Sequence, residues 1–313
     1  MPLGPTKQLV PPDTAREAVP QRRTRLVLLS AGAGVLLAIL WSFHFVDTVI
    51  GENVADTLLG HPAKETALSG AGAALLFSLV SGLAGTFTAC NIAMAASLGP
   101  LGQAGGSVRH DGAGVLRTLA RPTGLLLAGM VAVSGTYGFV GVLLGERLPQ
   151  LSTATVGGMP VRLIQSAVVF GIIGLVLIWL GLAAIGLVRD PFAAHPARRV
   201  VVFGALAGGF LIGRPYPMFN KLFHWAVDNG NPLFGAAAFV LQSIGNVVLV
   251  AVIFALIIMV TRGRAVRWLA DPRRAAAVTG ALLIALGVFT VVYWDLRLPA
   301  RFGYGWFPMM PYN

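Results

Sequence analysis

The chain has 313 residues, 56% of them hydrophobic and only 11% charged, with a mean hydropathy of +0.77 and a formal net charge of +11. A soluble domain carries about 25% charged residues, so this composition excludes an ordinary water-soluble domain, and the 39 glycines suit close-packed membrane helices. Ten-residue strands of alternating polarity are absent from the sequence, which leaves helices as the way to satisfy the backbone in lipid.

The first 25 residues are polar and carry Pro2, Pro5, Pro11, Pro12 and Pro20, which predicts a disordered tail over 1–25. Seven apolar stretches follow, near 26–46, 71–98, 123–144, 163–188, 200–226, 233–261 and 276–294. Each is long enough for a hydrocarbon core of about 30 Å, which takes about 20 helical residues. Arg22, Arg23 and Arg25 precede the first stretch, as in a secretory leader. The stretch is long, however, and no small-x-small site follows Trp41-Ser42-Phe43-His44, so it reads as an uncleaved span; with its loop it forms a unit over 26–66. The loop 47–66 is acidic, with Asp47, Glu52, Asp56 and Glu65. The loop 101–118 is rich in glycine but lacks the Lys-Ser/Thr end of a phosphate cradle and follows no strand, so nucleotide binding is not expected. Arg214, Lys221 and His224 interrupt the fifth stretch. The tail 295–313 carries Phe302, Tyr304, Trp306, Phe307 and Tyr312 with Met309 and Met310, and reads either as an interfacial aromatic belt or as a docking strip for an extracytoplasmic partner.

Charge predicts orientation. The N-terminus and the loops around 99–122, 189–199 and 262–275 hold 16 Lys and Arg, and the opposite set, with the fifth span, holds seven. The positive-inside rule makes the first set cytoplasmic and the C-terminal tail extracytoplasmic, in a multi-pass protein of the inner (plasma) membrane. The net charge is then mostly topology. Nucleic acid is not an expected partner, because the arginines are scattered over short loops without a recognition motif or stacking platform.

Leu83-Ala84-Gly85-Thr86-Phe87 in the second stretch echoes Leu206-Ala207-Gly208-Gly209-Phe210 in the fifth, and the two enter the membrane from opposite sides. The expected fold is therefore all-α and polytopic, with one extra N-terminal helix before two inverted three-helix repeats. Such repeats put the working site near the midplane, where broken helices meet. Pro215 and Pro217 predict such a break around 213–218.

Phe87-Thr88-Ala89-Cys90, Gly213-Arg214-Pro215-Tyr216-Pro217, Asn229-Gly230-Asn231-Pro232-Leu233-Phe234-Gly235 and Leu241-Gln242-Ser243-Ile244-Gly245 carry a family resemblance. The region 67–294 resembles the CcdA/DsbD transmembrane family of cytochrome c biogenesis and thiol–disulfide interchange proteins. The resemblance implies that scaffold and a setting in thiol redox or cytochrome c assembly, with an extracytoplasmic thiol or haem-assembly protein as partner. The departure from the family lies at its cysteines: Ala89 stands for the proline before the first, and Arg214 or Tyr216 stands where the second is expected. Cys90 is the only cysteine of the chain. A dithiol carrier joins two sulfurs at about 2 Å, so this chain cannot form that bond within itself and its chemistry is altered.

The candidate catalytic pair is Cys90 and Arg214, because a guanidinium nearby favours the reactive thiolate. The alternative is an inert packed thiol and a snorkelling arginine. Asn91, Pro215, Tyr216, Pro217, Gln242, Ser243 and Asn246 are candidate cavity-lining residues, or singly interhelical glue. Cys90, Met94 and Met218 are soft ligands, but no His-x-x-x-His or Cys-x-x-Cys accompanies them and Arg214 would repel a cation. No metal site and no cofactor are expected. A small-solute or soft-metal transporter and a non-catalytic assembly subunit remain the alternatives, and whether the protein is an enzyme stays open.

Overall fold

The computed structural model describes residues 12–42, 44–85, 112–213, 217–260 and 271–311. Apart from a two-residue-per-strand hairpin, β1 (Thr155–Val156) and β2 (Met159–Pro160), the described chain is helical. The helices are α1 (Pro12–Leu40), α2 (Asn53–Leu59), α3 (Ala71–Ala84), α4 (Gly112–Leu144) and α5 (Val161–Ala184). After them come α6 (Pro196–Gly213), α7 (Pro217–Asp228), α8 (Pro232–Val260), α9 (Pro272–Val291) and the single turn α10 (Leu298–Arg301). Two π-helical segments, His44–Glu52 and Val292–Arg297, follow α1 and α9.

The element boundaries follow local chemistry. Gly230 turns the chain at φ +65° between α7 and α8, and Asn231 Oδ1 accepts the backbone N–H of Leu233 at 3.1 Å and of Phe234 at 3.2 Å, capping α8. Asp271 Oδ1 accepts the N–H of Arg273 at 2.8 Å, and Pro272 opens α9 where its missing donor costs nothing.

Four helical segments are long and apolar enough to cross a membrane: Arg22–Leu40, Thr123–Arg147, Val161–Ala184 and Arg273–Arg301. They fall on the first, third, fourth and seventh expected stretches, the last running to Arg301 and so taking in Asp295, which the sequence placed in the tail. The sixth is helical as Pro232–Val260, and the second as Ala71–Ala84, beyond which the described residues soon end. Two expectations shift. Helix α1 already begins at Pro12, inside the stretch expected to be disordered. The fifth stretch is two helices, α6 and α7, with 214–216 between them outside the described residues. Helix α7 is strongly one-sided: Met218, Phe219, Leu222, Phe223 and Ala226 are completely buried.

In the packing, α4 lies against α6 and α8, α5 against α9, α3 against α8, and α1 against α9. One apolar cluster joins Ala38, Phe170, Phe203, Phe210 and Phe289; a second joins Phe77, Phe219, Phe223 and Phe239. Glycine sets the closest approaches, as it does where membrane helices pack backbone to backbone. At Gly82 a Cβ would run into the Gln242 carbonyl, and at Gly245 into the Leu79 carbonyl and the Leu83 nitrogen. At Gly204 it would meet the Leu126 carbonyl, and at Gly129 the Val201 carbonyl and the Ala205 nitrogen. The crossing of α3 on α8 thus uses the same atoms as that of α6 on α4. Between α5 and α9 the contacts are reciprocal: Gly174 abuts the Gly287 carbonyl and Gly287 the Gly174 carbonyl, while Gly181 and Gly280 do the same.

The ends of the bundle sort as the alternating spans require. Arg23 donates to the Gly186 carbonyl at 3.2 Å. At the other end Lys221 Nζ donates to the carbonyls of Ala63 (2.6 Å) and Thr66 (2.5 Å). There too Gln150 donates to Asn220 Oδ1 at 2.8 Å, and the Tyr304 hydroxyl to the Gly157 carbonyl at 2.5 Å. Helix α1 is bound in rather than loosely attached. Gly34 lies against Ala285, Trp41 meets Phe289 edge-on at 5.4 Å, and Arg297 donates to the carbonyls of Ala38 (2.6 Å) and Trp41 (2.7 Å) at its C-terminal end.

Candidate functional site

The crossing of α3 and α8 gathers the polar residues that the sequence singles out and that lie within the described chain. Gln242, Ser243 and Asn246 of α8 are 3%, 0% and 4% exposed, beside Ser78 and Ser81 of α3 at 0% and 1%. The Gln242 amide donates to Ser81 Oγ at 3.1 Å, and Ser78 Oγ returns to its own helix at the Ala74 carbonyl, 2.7 Å away. The small residues Gly82 and Gly245 let the two backbones touch and bring these side chains together. Gln242 Oε1 and Ser243 Oγ have no hydrogen-bond partner among the described residues. An unmade hydrogen bond in a buried place costs about 1–3 kcal/mol. Two such atoms in one cluster mark a place suited to water or to a polar group of a ligand.

The structure brings together Gln242, Ser243 and Asn246, and Pro217 begins α7. Cys90, Asn91, Arg214, Pro215 and Tyr216 lie outside the described residues. The described part of α6 ends at Gly213, directly before Arg214, and that of the second stretch ends at Gly85, shortly before Cys90.

A second polar group stands at the C-terminal end of α6, and the sequence reading missed it. Gln165 of α5 donates to the Ile212 carbonyl at 3.0 Å and to the Tyr137 hydroxyl at 3.4 Å. In a continuous helix the Ile212 carbonyl would accept from residue 216. Gln165 reaches it from a neighbouring helix. The Leu211 and Gly213 carbonyls would face Pro215 and Pro217, which have no N–H to give. Tyr137 is fixed by the rings of Phe219, Phe223 and Phe239, at 6.4, 5.6 and 6.0 Å. A signal for Gln165 was present: it is the only amide side chain in the apolar helix Val161–Ala184. Among the described residues no group of three or more His, Cys, Asp or Glu could hold a metal ion.

No family model, curated protein or solved structure matches the chain. Its class rests on its own geometry: long apolar helices, backbones in contact through glycine, and polar side chains turned into the bundle. The protein is a helical, multi-pass membrane protein.

Proposed function

We propose that the protein is a thiol-redox or cytochrome c assembly component on a CcdA/DsbD-like scaffold, with one helix preceding two inverted three-helix repeats. The observation that carries this reading is the matched pair of glycine crossings. The contacts of Gly82 and Gly245 in α3 and α8 are repeated, atom for atom, by Gly204 and Gly129 in α6 and α4. A twofold relation between α3–α4–α5 and α6–α8–α9 also accounts for the reciprocal glycines of α5 and α9. The end of α6 at Gly213, the start of α7 at Pro217 and the turn at Gly230 are consistent with this reading.

In this reading the first helices of the two repeats deliver Cys90 and the 213–217 break to one central site, beside Gln242, Ser243 and Asn246. The crossings align Gly82 with Gly204, one residue off the Leu-Ala-Gly echo. Cys90 then stands opposite Ile212, two residues before Arg214. With one thiol in the chain, the chemistry is exchange with a partner protein. The Cys90 thiolate attacks a disulfide of an extracytoplasmic partner and forms a mixed disulfide, and the partner's second sulfur leaves as a thiolate. A different thiolate of the partner resolves it, so the partner's disulfide is rearranged and the chain gains and loses no electrons overall. The basic loops face the cytoplasm and the aromatic tail faces out.

The test is complementation of a deletion strain with Cys90→Ser, scoring haem attachment to c-type cytochromes and capture of a Cys90-dependent mixed disulfide after acid quenching. The variant is expected to behave as the deletion, with no captured adduct. Full activity of Cys90→Ser overturns the redox role. It would move the assignment to transport of a small polar solute, a reading that the two unpaired atoms at Gln242 and Ser243 favour.

A further inference from the structure

The seam between α5 and α9 is built from glycine and aliphatic side chains, with Gly181 against Ile284 and Gly174 against Val291. The next contact along this seam is a carboxylate. Asp295, on the π-helical segment after α9, lies over Gly171, where a Cβ would stand 2.9 Å from both carboxylate oxygens. A Cβ at position 171 would make that carboxylate shift. Gly171 is ten residues into α5, about 15 Å from its start at 1.5 Å per residue. That depth is inside the hydrocarbon region if α5 spans it. The Phe170 and Trp294 rings stack at 4.3 Å, one residue before each of the two contacting positions. Asp295 Oδ2 is closed to solvent and without a hydrogen-bond partner among the described residues.

The charged and titratable groups on the surrounding elements do not neutralise it. Arg297 is committed to the Ala38 and Trp41 carbonyls and lies over the Tyr293 ring at 4.9 Å. Arg162 sits in the first turn of α5 and Arg301 is exposed at the end of α10. Arg22, Arg23 and Arg25 of α1, and Arg273 and Arg274 of α9, lie toward the opposite ends of their helices. Among the described residues no ion pair joins Asp295 to any of these. A carboxylate inside a span is costly and marks ion or proton traffic, and π-helical turns recur at working sites. A metal ion of the calcium or magnesium kind takes six or more oxygens, which glycine, phenylalanine and tryptophan do not supply. A proton needs one.

We propose that Asp295 is a reversible proton-binding site within the membrane, seated in the α5–α9 seam by Gly171. This site is separate from the Cys90 chemistry and does not depend on it. The test uses the full-length protein in liposomes, treated with the apolar reagent dicyclohexylcarbodiimide, which modifies protonated carboxyls in apolar surroundings, and mapped by peptide mass. Asp295 is expected to be modified at neutral pH, and the rate to fall about tenfold for each pH unit once the carboxyl ionises. Asp295→Asn should lose the labelled peptide. Should that variant fail to fold, the pH series on the unaltered protein still decides. No modification of Asp295 between pH 5 and 9 overturns the proposal, as does a rate independent of pH. Protection by sodium or calcium ions at constant pH would instead assign a metal cation, and would overturn it equally.

Discussion

Single side chains decide more in this protein than their number implies, because in lipid each polar atom has few partners to choose from. Gln165 ties the end of α6 to α5, and Gln242 ties α8 to α3. Gln165→Leu is expected to leave the Ile212 carbonyl without its donor, lowering stability by about 1–3 kcal/mol in a detergent unfolding titration; an unchanged midpoint would show that the bond is replaced by water. Gln242→Leu should lower stability by a similar amount in the same assay, since it takes the donor from the buried Ser81 hydroxyl, and should lose activity. For the proposed central pair, Arg214→Gln keeps polarity and approximate size and removes the charge that would favour the Cys90 thiolate. Alkylation of Cys90 at neutral pH should slow, by about tenfold for each 1.4 kcal/mol of lost stabilisation. A profile of rate against pH that does not move separates the two residues into different sites. At this scale the sequence disclosed which residues were polar within apolar stretches. It did not disclose which of them meet: Ser81 and Gln242 are far apart in the chain, and only the glycine crossing makes them neighbours.

At the scale of elements, the proposed repeat rests on the glycine crossings more than on the five-residue echo. Gly82 and Gly204 each press on a carbonyl of the crossing helix, whereas Gly32 and Gly72 have nothing within 4 Å. Gly82→Leu and Gly204→Leu are therefore expected to destabilise by similar amounts, about 1–3 kcal/mol or more, in thermal unfolding of purified protein. Gly72→Leu should be neutral or slightly stabilising, because leucine is the better helix former. Unequal losses at Gly82 and Gly204 would count against equivalent crossings. The fifth stretch shows where periodicity stops being informative. Apolar content runs on through 200–226, but the described residues there form α6, to Gly213, and α7, from Pro217, whose apolar face is buried against other elements. The separate packing of the amphipathic helix α7, with Lys221 hooked over the carbonyls of Ala63 and Thr66, was not readable, since it depends on a loop distant in sequence.

For the whole molecule, the end-to-end sorting of loops constrains topology. Residue 5 and residue 310 are expected on opposite sides of the membrane, the first cytoplasmic, from the imbalance of 16 against seven basic residues. Reporter fusions at those two points that report the same side would reject the arrangement. Helix α1 belongs to the folded body through Gly34, Trp41 and the Arg297 cap.

Composition and hydropathy by themselves determined the class, the helical content and most of the spans, because the cost of unpaired backbone groups in lipid leaves few other structures. Charge asymmetry by itself set the expected orientation. Tertiary structure decided which helices touch, where small residues allow backbones to meet, and which polar atoms are left unpaired. Those depend on contacts between residues far apart in the chain. For the same reason Gly171 and Asp295 look unremarkable in the sequence, and become a candidate site only when α5 and α9 are laid together.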